Sequence, residues 1–209
     1  MKPIIALCTV LAVLRTLVGV IVGRESLGGK MSKRIGLLIL VLVSVAPGFA
    51  QNLSPTRDQT REMVRASLTK YGALDEVNTT FRQSDKEPYN FVGIMKAGLK
   101  NAESLEIVVS VSSQSTIHFR VYPHYNGGYL NLDKVKDSNG FMRKLLAYND
   151  KNFLFWGADD TNDVFAGYTI TLESGYPEEA MRVLTRSIHN TDQFVGEMRP
   201  LIDGSAAPQ

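Results

Sequence analysis

Four polar side chains on one predicted strand have the types and spacing that could do chemistry. His118, Arg120, Tyr122 and His124 alternate with apolar residues, so they would share one strand face, with neighbours about 6.6 Å apart. His118 and Arg120 together could hold an anion. No Asp or Cys joins the histidines at metal-ligand spacing, so the pattern does not indicate a zinc site. A solvated outer face of a sheet explains the same alternation and is the favoured interpretation.

A second polar group could gather a calcium ion. It consists of Asp159, Asp160 and Asp163. Residues 162–173 even place a glycine sixth and a glutamate twelfth, as an EF-hand loop does. However, apolar residues stand third and fifth, where oxygen ligands are required, and the flanking pattern is that of strands. The sequence therefore predicts a polar turn with no metal.

Motifs for catalysis are missing from the sequence. There is no G-x-S-x-G elbow, no P-loop and no G-x-G-x-x-G, and the single cysteine is Cys8, near the start. His189 is placed at the boundary of the last predicted helix rather than in a site. We therefore predict no catalytic residues, no enzyme activity and no cofactor. A hydrolase ranks third among the functional hypotheses.

The elements that must position these residues follow from hydrophobic periodicity. Their order, α-β-β-β-α-β-β-α, predicts an α+β fold in which helices pack on an antiparallel sheet of about five strands. A short extra strand is an option near residues 79–82. The first predicted helix runs from the Ser54-Pro55 N-cap to about Tyr71, and three strands follow at 91–97, 105–112 and 117–122. A second helix at 139–149 is capped by Ser138. A hairpin then pairs residues 153–156 with 164–172, and one closing helix has Pro177 at its first position.

An aromatic cluster marks the predicted hairpin. It comprises Phe153, Phe155, Trp156 and Tyr168. Residues 154 and 156 face opposite to 153 and 155, so both faces of this strand are apolar. Burial on both sides is the simpler explanation, and a partner or dimer surface is the alternative. A sheet with helices on one face covers only one side, so the alternative predicts a homodimer in which the patch meets itself.

Residues 31–50 have the organisation of a signal peptide. A basic start is followed by an apolar run of eleven residues at 35–45 and by small residues. Gly48 and Ala50 occupy the positions that signal peptidase reads, so the mature chain should begin at Gln51. The sequence therefore predicts a periplasmic or secreted protein with no stable membrane insertion after cleavage.

The first thirty residues allow two interpretations. The favoured one is a start codon assigned too early, with Met31 as the true start. The alternative is a membrane-spanning helix at 4–22, which would anchor the protein although Arg15 interrupts it. The remainder is predicted to be a single domain at 51–203 followed by a flexible tail at 204–209.

The distribution of charge limits the classes of partner that the chain could bind, and the cysteine content limits its covalent crosslinks. The whole chain carries +2, but residues 1–50 carry +5 and residues 51–209 carry −3. The basic character belongs to the leader, so nucleic-acid binding is not expected. The predicted domain has no cysteine and hence no disulfide.

Two segments on either side of the hairpin carry a resemblance to a known family. Residues 145–153, the aromatic hairpin and residues 174–180 resemble the YbjN-like family, described as bacterial sensory transduction regulators with the fold of type III secretion chaperones. The resemblance is specific over about residues 141–201. It implies a small α+β domain, often a homodimer, with no catalytic residues to transfer.

The leading functional hypothesis combines these features. It is an exported, non-enzymatic domain of the bacterial envelope that acts through protein–protein contact, as a chaperone-like or regulatory module. The alternative is a periplasmic protein that binds a small ligand or anion through the His118 and Arg120 face. The protein partner itself is not indicated by the sequence.

Overall fold

The computed structural model describes residues 55–114 and 116–204. Within these residues, no helix is long and apolar enough to cross a membrane. Several predictions fall outside the described residues: the apolar segment 4–22, the signal sequence 31–50, its cleavage site between Ala50 and Gln51, the cap at Ser54, and the tail beyond Gly204.

The described residues form four helices and seven strands. In chain order they are α1 (Arg57–Gly72), β1 (Phe81–Gln83), β2 (Asn90–Met95), β3 (Ser104–Val111), β4 (Thr116–Tyr125), β5 (Gly128–Tyr129), α2 (Ser138–Lys151), β6 (Phe155–Ala158), β7 (Val164–Thr171), α3 (Glu178–Ser187) and α4 (Asn190–Asp203).

The strands form one antiparallel sheet in the order β1-β2-β3-β4-β7-β6, and β5 pairs with the end of β4. The predicted α+β fold is confirmed. The sheet is larger than predicted because the optional strand near residue 81 forms and β5 follows β4. Asn126 and Gly127 have φ values of 55° and 81°, so they build a two-residue hairpin turn instead of simply ending β4.

Burial alternates along the two central strands, which shows how the helices cover the sheet. Every second residue of β3 and β4 is buried, and the residues between them are half-buried. Buried side chains from all four helices join the buried strand residues in one core. Within the described residues, the helices therefore cover one face of the sheet, and we call the other the open face.

Two helix caps differ from the predictions by one or two residues. Thr56 caps α1 through a capping box with Gln59, which places the start two residues after the predicted cap. Asp137 caps α2 by accepting from the N–H of Gly140 at 2.9 Å. Ser138 instead donates to the Leu132 carbonyl at 3.0 Å. Adjacent residues can each cap a helix, and the path of the preceding loop selects between them.

The closing helix is two helices, which corrects the prediction of one. The chain turns at Ile188 and His189, within the span predicted as one continuous helix. The N–H groups of Thr191 and Asp192 donate to carbonyls three residues earlier, at 3.0 and 3.1 Å, in a tighter turn than an α-helix makes. Pro177 occupies the capping position of α3 rather than its first helical position.

Candidate functional site

His118 lies on the open face, as the alternation predicted, but it is not available as a cation. Its Nδ1 is 3.1 Å from the Thr169 hydroxyl and its Nε2 is 3.3 Å from the Thr116 hydroxyl. Burial, and then the charge of Arg120, lower the pKa of His118. The imidazole is therefore neutral near pH 7, and both ring nitrogens already have hydroxyl partners.

Arg120 is also engaged within the chain. Its guanidinium carbon lies 4.4 Å from the centre of the Phe165 ring, in a cation–π contact. One of its amino groups donates to the Tyr122 hydroxyl at 3.2 Å. The predicted anion site thus consists of two residues on the same face, of which only Arg120 is charged.

The four aromatic residues of the predicted partner surface separate into three places. Phe153 and Tyr168 lie together, with ring centres 6.4 Å apart. Phe155 lies on the open face, opposite Gly167. Trp156 is only 4% exposed and belongs to the core, as the simpler explanation of the apolar hairpin predicted, and its place in the alternative partner surface is wrong. The difference arises because burial alternates from Phe153 to Trp156, so that Leu154 and Trp156 are buried whereas Phe153 and Phe155 are exposed.

Trp156 packs on the helix side of the sheet. Its ring centre lies 5.9 Å from that of Tyr148 and 5.8 Å from that of Phe194. Tyr148 and Phe194 are 4.7 Å apart, and the Tyr148 hydroxyl donates to Glu197 at 2.9 Å. This aromatic group joins β6 to α2 and α4, so a structural role accounts for Trp156.

Phe165 explains why the hairpin is apolar on its other face. It is 5% exposed although it points to the open face. Phe155 meets its ring edge-on at 5.8 Å, and Tyr122 lies 5.5 Å away. A Cβ placed on Gly157 or Gly167 would lie 3.3 Å from this ring. The two glycines leave room for Phe165 to lie along the sheet, and neighbouring side chains cover it.

Exposed apolar side chains lie on α2, just after its end, on β7 and on α3. Met142 and Leu146 are four residues apart on α2, and that helix leads directly to Phe153. Phe153 then shares a groove of about 230 Å³ with Tyr168 and with Val183 of α3. We call these five residues the apolar surface. Their exposed fractions are 46% for Met142, 68% for Leu146, 54% for Phe153, 39% for Tyr168 and 45% for Val183.

The apolar residues of the predicted helix at 139–149 are Phe141, Met142, Leu145, Leu146 and Tyr148, and their spacing predicts that all five face the core. The apolar face predicted for α2 was too wide, because 142 and 146 are turned about 100° from the buried residues 141 and 145. A signal was available, since five apolar residues on one helix form a wider stripe than a single packing face requires.

The acidic turn between β6 and β7 uses its oxygens internally. Asp159 Oδ1 accepts from the backbone N–H groups of Thr161 and Asp163, each at 3.0 Å, and from the Thr161 hydroxyl at 2.8 Å. Asp163 accepts from the Asn131 amide at 2.8 Å. Burial would raise the pKa of Asp159, but these hydrogen bonds together lower it. No group of three or more metal-ligating acidic, His or Cys residues occurs in the described part of the chain.

No protein-family model matches the chain, and no curated protein matches it. The function must therefore be argued from the surfaces described above.

Proposed function

We propose that the chain is an exported, non-enzymatic domain that works by contact with another protein, and that the apolar surface is its contact site. The supporting observation is the groove lined by the exposed side chains of Phe153, Tyr168 and Val183, together with the exposed Met142 and Leu146 of α2, the helix that ends just before Phe153. Exposed apolar patches on a monomer often mark functional contacts.

A hydrolytic function is disfavoured by the surroundings of the best-placed hydroxyl. Ser67 donates to Glu178 at 2.8 Å and accepts from Tyr176 at 2.8 Å, so a serine and a carboxylate do meet. However, Ser67 is only 2% exposed, and a substrate could not reach its oxygen. The contact joins α1 to α3 and needs no catalytic explanation.

Anion binding at His118 and Arg120 ranks below protein contact. A neutral imidazole and a guanidinium that already lies on Phe165 provide one partly engaged charge. Strong anion sites usually combine several charge-assisted donors.

We further propose that the domain is YbjN-like. The helix, strand, hairpin and helix order is compatible with the small α+β domain that this resemblance implies. A chaperone-like or regulatory role in the envelope would use an apolar contact surface of this kind.

Export is tested by the mass of the processed protein. Because Gly48 and Ala50 fit the signal-peptidase site, the envelope form should begin at Gln51. Intact-mass measurement of protein purified from the envelope measures this directly. A mass that retains residues 31–50 would contradict cleavage.

Contact through the apolar surface is tested by photo-crosslinking in cells. A photoreactive amino acid replaces Phe153 in the full chain, and in a matched control it replaces Ile94, which is 49% exposed on the open face. We expect covalent protein adducts at position 153 in several-fold higher yield than at position 94. Equal yields at the two positions, or no adduct at 153, would refute the proposed contact site.

A further inference from the structure

Two Asn-Gly sequences occur in the chain, Asn126-Gly127 and Asn139-Gly140, and both lie among the described residues. Asparagine is chemically labile when glycine follows it, because glycine has no side chain to keep its backbone nitrogen away from the asparagine amide. Both asparagines are exposed, so water reaches them. The two pairs are therefore candidate sites of spontaneous deamidation, a covalent modification that needs no enzyme.

The reaction at Asn126 begins at the backbone nitrogen of Gly127. This nitrogen loses its proton to a base in solution and bonds to Asn126 Cγ, while the Cγ–Nδ2 bond breaks and the amide nitrogen takes up a proton and leaves as ammonia. Water then opens the succinimide ring at one of its two C–N bonds and leaves either aspartate or isoaspartate. The net reaction consumes water, releases ammonia and involves no oxidation or reduction.

A carboxylate holds the Gly127 proton in the folded domain. The Gly127 N–H donates to both oxygens of Glu103, at 3.1 and 3.0 Å. A negative charge beside the nitrogen disfavours the amide anion, as any like charge disfavours an ionised form. Glu103 therefore opposes the first step of the reaction.

The second pair has a carboxylate as well, but in a more confined place. The Gly140 N–H donates to Asp137 Oδ1 at 2.9 Å in the first turn of α2. A Cβ on Gly140 would collide with that carboxylate, whereas a Cβ on Gly127 would meet no atom within 4 Å. The helix fixes the backbone of Asn139, while Asn126 lies at the tip of a hairpin whose last strand, β5, has two residues. Asn126 is therefore the more reactive asparagine, and Asn139 is an internal reference.

Asn149 shows, by contrast, an asparagine whose amide is held at both ends. Its Oδ1 accepts from the Trp156 N–H at 2.5 Å, and its Nδ2 donates to the Trp156 carbonyl at 3.1 Å. This amide takes the place of a neighbouring strand at the edge of β6. Asn126 lies instead at an exposed turn.

We propose that Asn126 is the deamidation site of the folded domain and that Glu103 limits the rate by holding the Gly127 N–H. Either product adds a carboxylate next to the group that Glu103 accepts, and isoaspartate also lengthens the backbone of the turn. Tyr129, which follows the turn, donates from its hydroxyl to Glu106 at 2.9 Å, so the modification would loosen this end of the open face. The inference does not depend on the proposed contact site.

The test compares the two Asn-Gly pairs in the full-length gene product, purified in the form that the cells accumulate. Wild type, Glu103→Ala and Asp137→Ala are incubated at mildly alkaline pH, and peptide mass spectrometry measures conversion of each asparagine. Glu103→Ala should raise the rate at Asn126 several-fold and leave the rate at Asn139 unchanged. Asp137→Ala is the matched control and should leave the rate at Asn126 unchanged. Glu103→Gln, which keeps an acceptor without the charge, should raise the rate at Asn126 by less than Glu103→Ala does.

The pattern across the two pairs separates local release from unfolding. Glu103 is exposed, and an equal acceleration at both pairs in Glu103→Ala would overturn the inference because it reports unfolding. An unchanged rate at Asn126 would also overturn it, and a lower rate would make Glu103 the base that removes the proton. If Asn126 converts in the urea-unfolded chain but in neither folded form, the turn conformation prevents the reaction and the role of Glu103 is refuted.

Discussion

The β6–β7 hairpin buries one aromatic group on each face of the sheet, and the two groups are covered in different ways. Trp156 on the helix side is 4% exposed and Phe165 on the open face is 5% exposed. Trp156 is covered by Tyr148 and Phe194, which come from two helices. Phe165 is covered by Phe155, Tyr122 and the Arg120 guanidinium, which come from strands of the same sheet.

Two aromatic side chains that are equally buried can therefore be covered by different amounts of protein. The helix-side group belongs to the continuous core of the domain. The open-face group is a single layer of side chains, and Phe155 at its rim is 39% exposed. A large apolar residue on both faces of a strand therefore does not require a second layer of protein.

The largest loss of stability should follow from truncating Trp156 in the helix-side aromatic group. Trp156→Ala removes a buried ring that touches two helices, so we expect a loss of about 3–5 kcal/mol in the free energy of unfolding. Urea denaturation followed by circular dichroism measures it. A loss below about 1 kcal/mol would mean that Trp156 is not part of the core.

The second-largest loss in the free energy of unfolding should come from removing a group of hydrogen bonds that is also on the helix side. The Asp192 carboxylate of α4 accepts from the N–H groups of Lys100, Asn101 and Ala102 at 2.9, 2.9 and 2.7 Å. Burial would raise the pKa of Asp192, but these hydrogen bonds outweigh it and the pKa is lowered. Asp192→Asn should destabilise the protein by about 2–3 kcal/mol at neutral pH, because backbone donors lose a charged acceptor.

The pH dependence of that loss has a definite sign. A carboxyl group with a lowered folded-state pKa stabilises the fold fully above its unfolded value of about 3.9, and the contribution is lost as the pH falls through the folded value. The gap between wild type and Asp192→Asn should therefore narrow in acid. Urea unfolding of both proteins at pH 7 and in acid checks this, and a constant gap would assign the effect to packing instead of charge.

Truncating the open-face aromatic group should lower the free energy of unfolding by less than truncating the helix-side group does. Phe155→Ala removes a ring that is 39% exposed and touches Phe165 at its edge, so we expect a loss of about 1 kcal/mol. Measured under the same conditions as Trp156→Ala, it tests the comparison directly. A loss as large as that of Trp156→Ala would show that the open face carries a second core.

The smallest effect is expected from adding calcium to the acidic turn that joins β6 to β7. Asp159 and Asp163 already accept hydrogen bonds within the turn, so calcium should bind with negligible affinity and leave the melting temperature unchanged. Calorimetric titration with calcium chloride measures it. A dissociation constant in the sensor range of about 10⁻⁷–10⁻⁵ M would contradict the prediction.

The sequence predicted the fold class because strand alternation is strong in this chain. Alternation at residues 105–111 and 117–121 identified the residues that face the core. The strand β5 was missed because a two-residue strand has no periodicity, and the break at Ile188 was missed because apolar spacing continues across it. The partner of Asp192 lies about ninety residues away, and single-sequence patterns do not report such contacts.

The candidate site was predicted in part. Phe153 and Tyr168 are exposed and adjacent, whereas the placement of Trp156 beside them was wrong. Burial alternates from Phe153 to Trp156, which places Trp156 in the core although the aromatic cluster grouped it with the exposed Phe153. The wide apolar face of α2 indicated that some of its residues would stay exposed, but it did not indicate that Leu146 is one of them, because the direction of packing depends on the neighbouring strands.

The amide of Asn149 has a consequence for the order of folding. Asn149 and Trp156 are seven residues apart, whereas the pairing of β4 with β7 joins residues about fifty apart. Short loops close faster than long ones, so we expect Trp156 to acquire its amide partner before β4 pairs with β7. Bare strand edges template aggregation. We therefore expect the Asn149 amide, which accepts from the Trp156 N–H and donates to the Trp156 carbonyl, to cover this part of the β6 edge while the sheet has not yet closed.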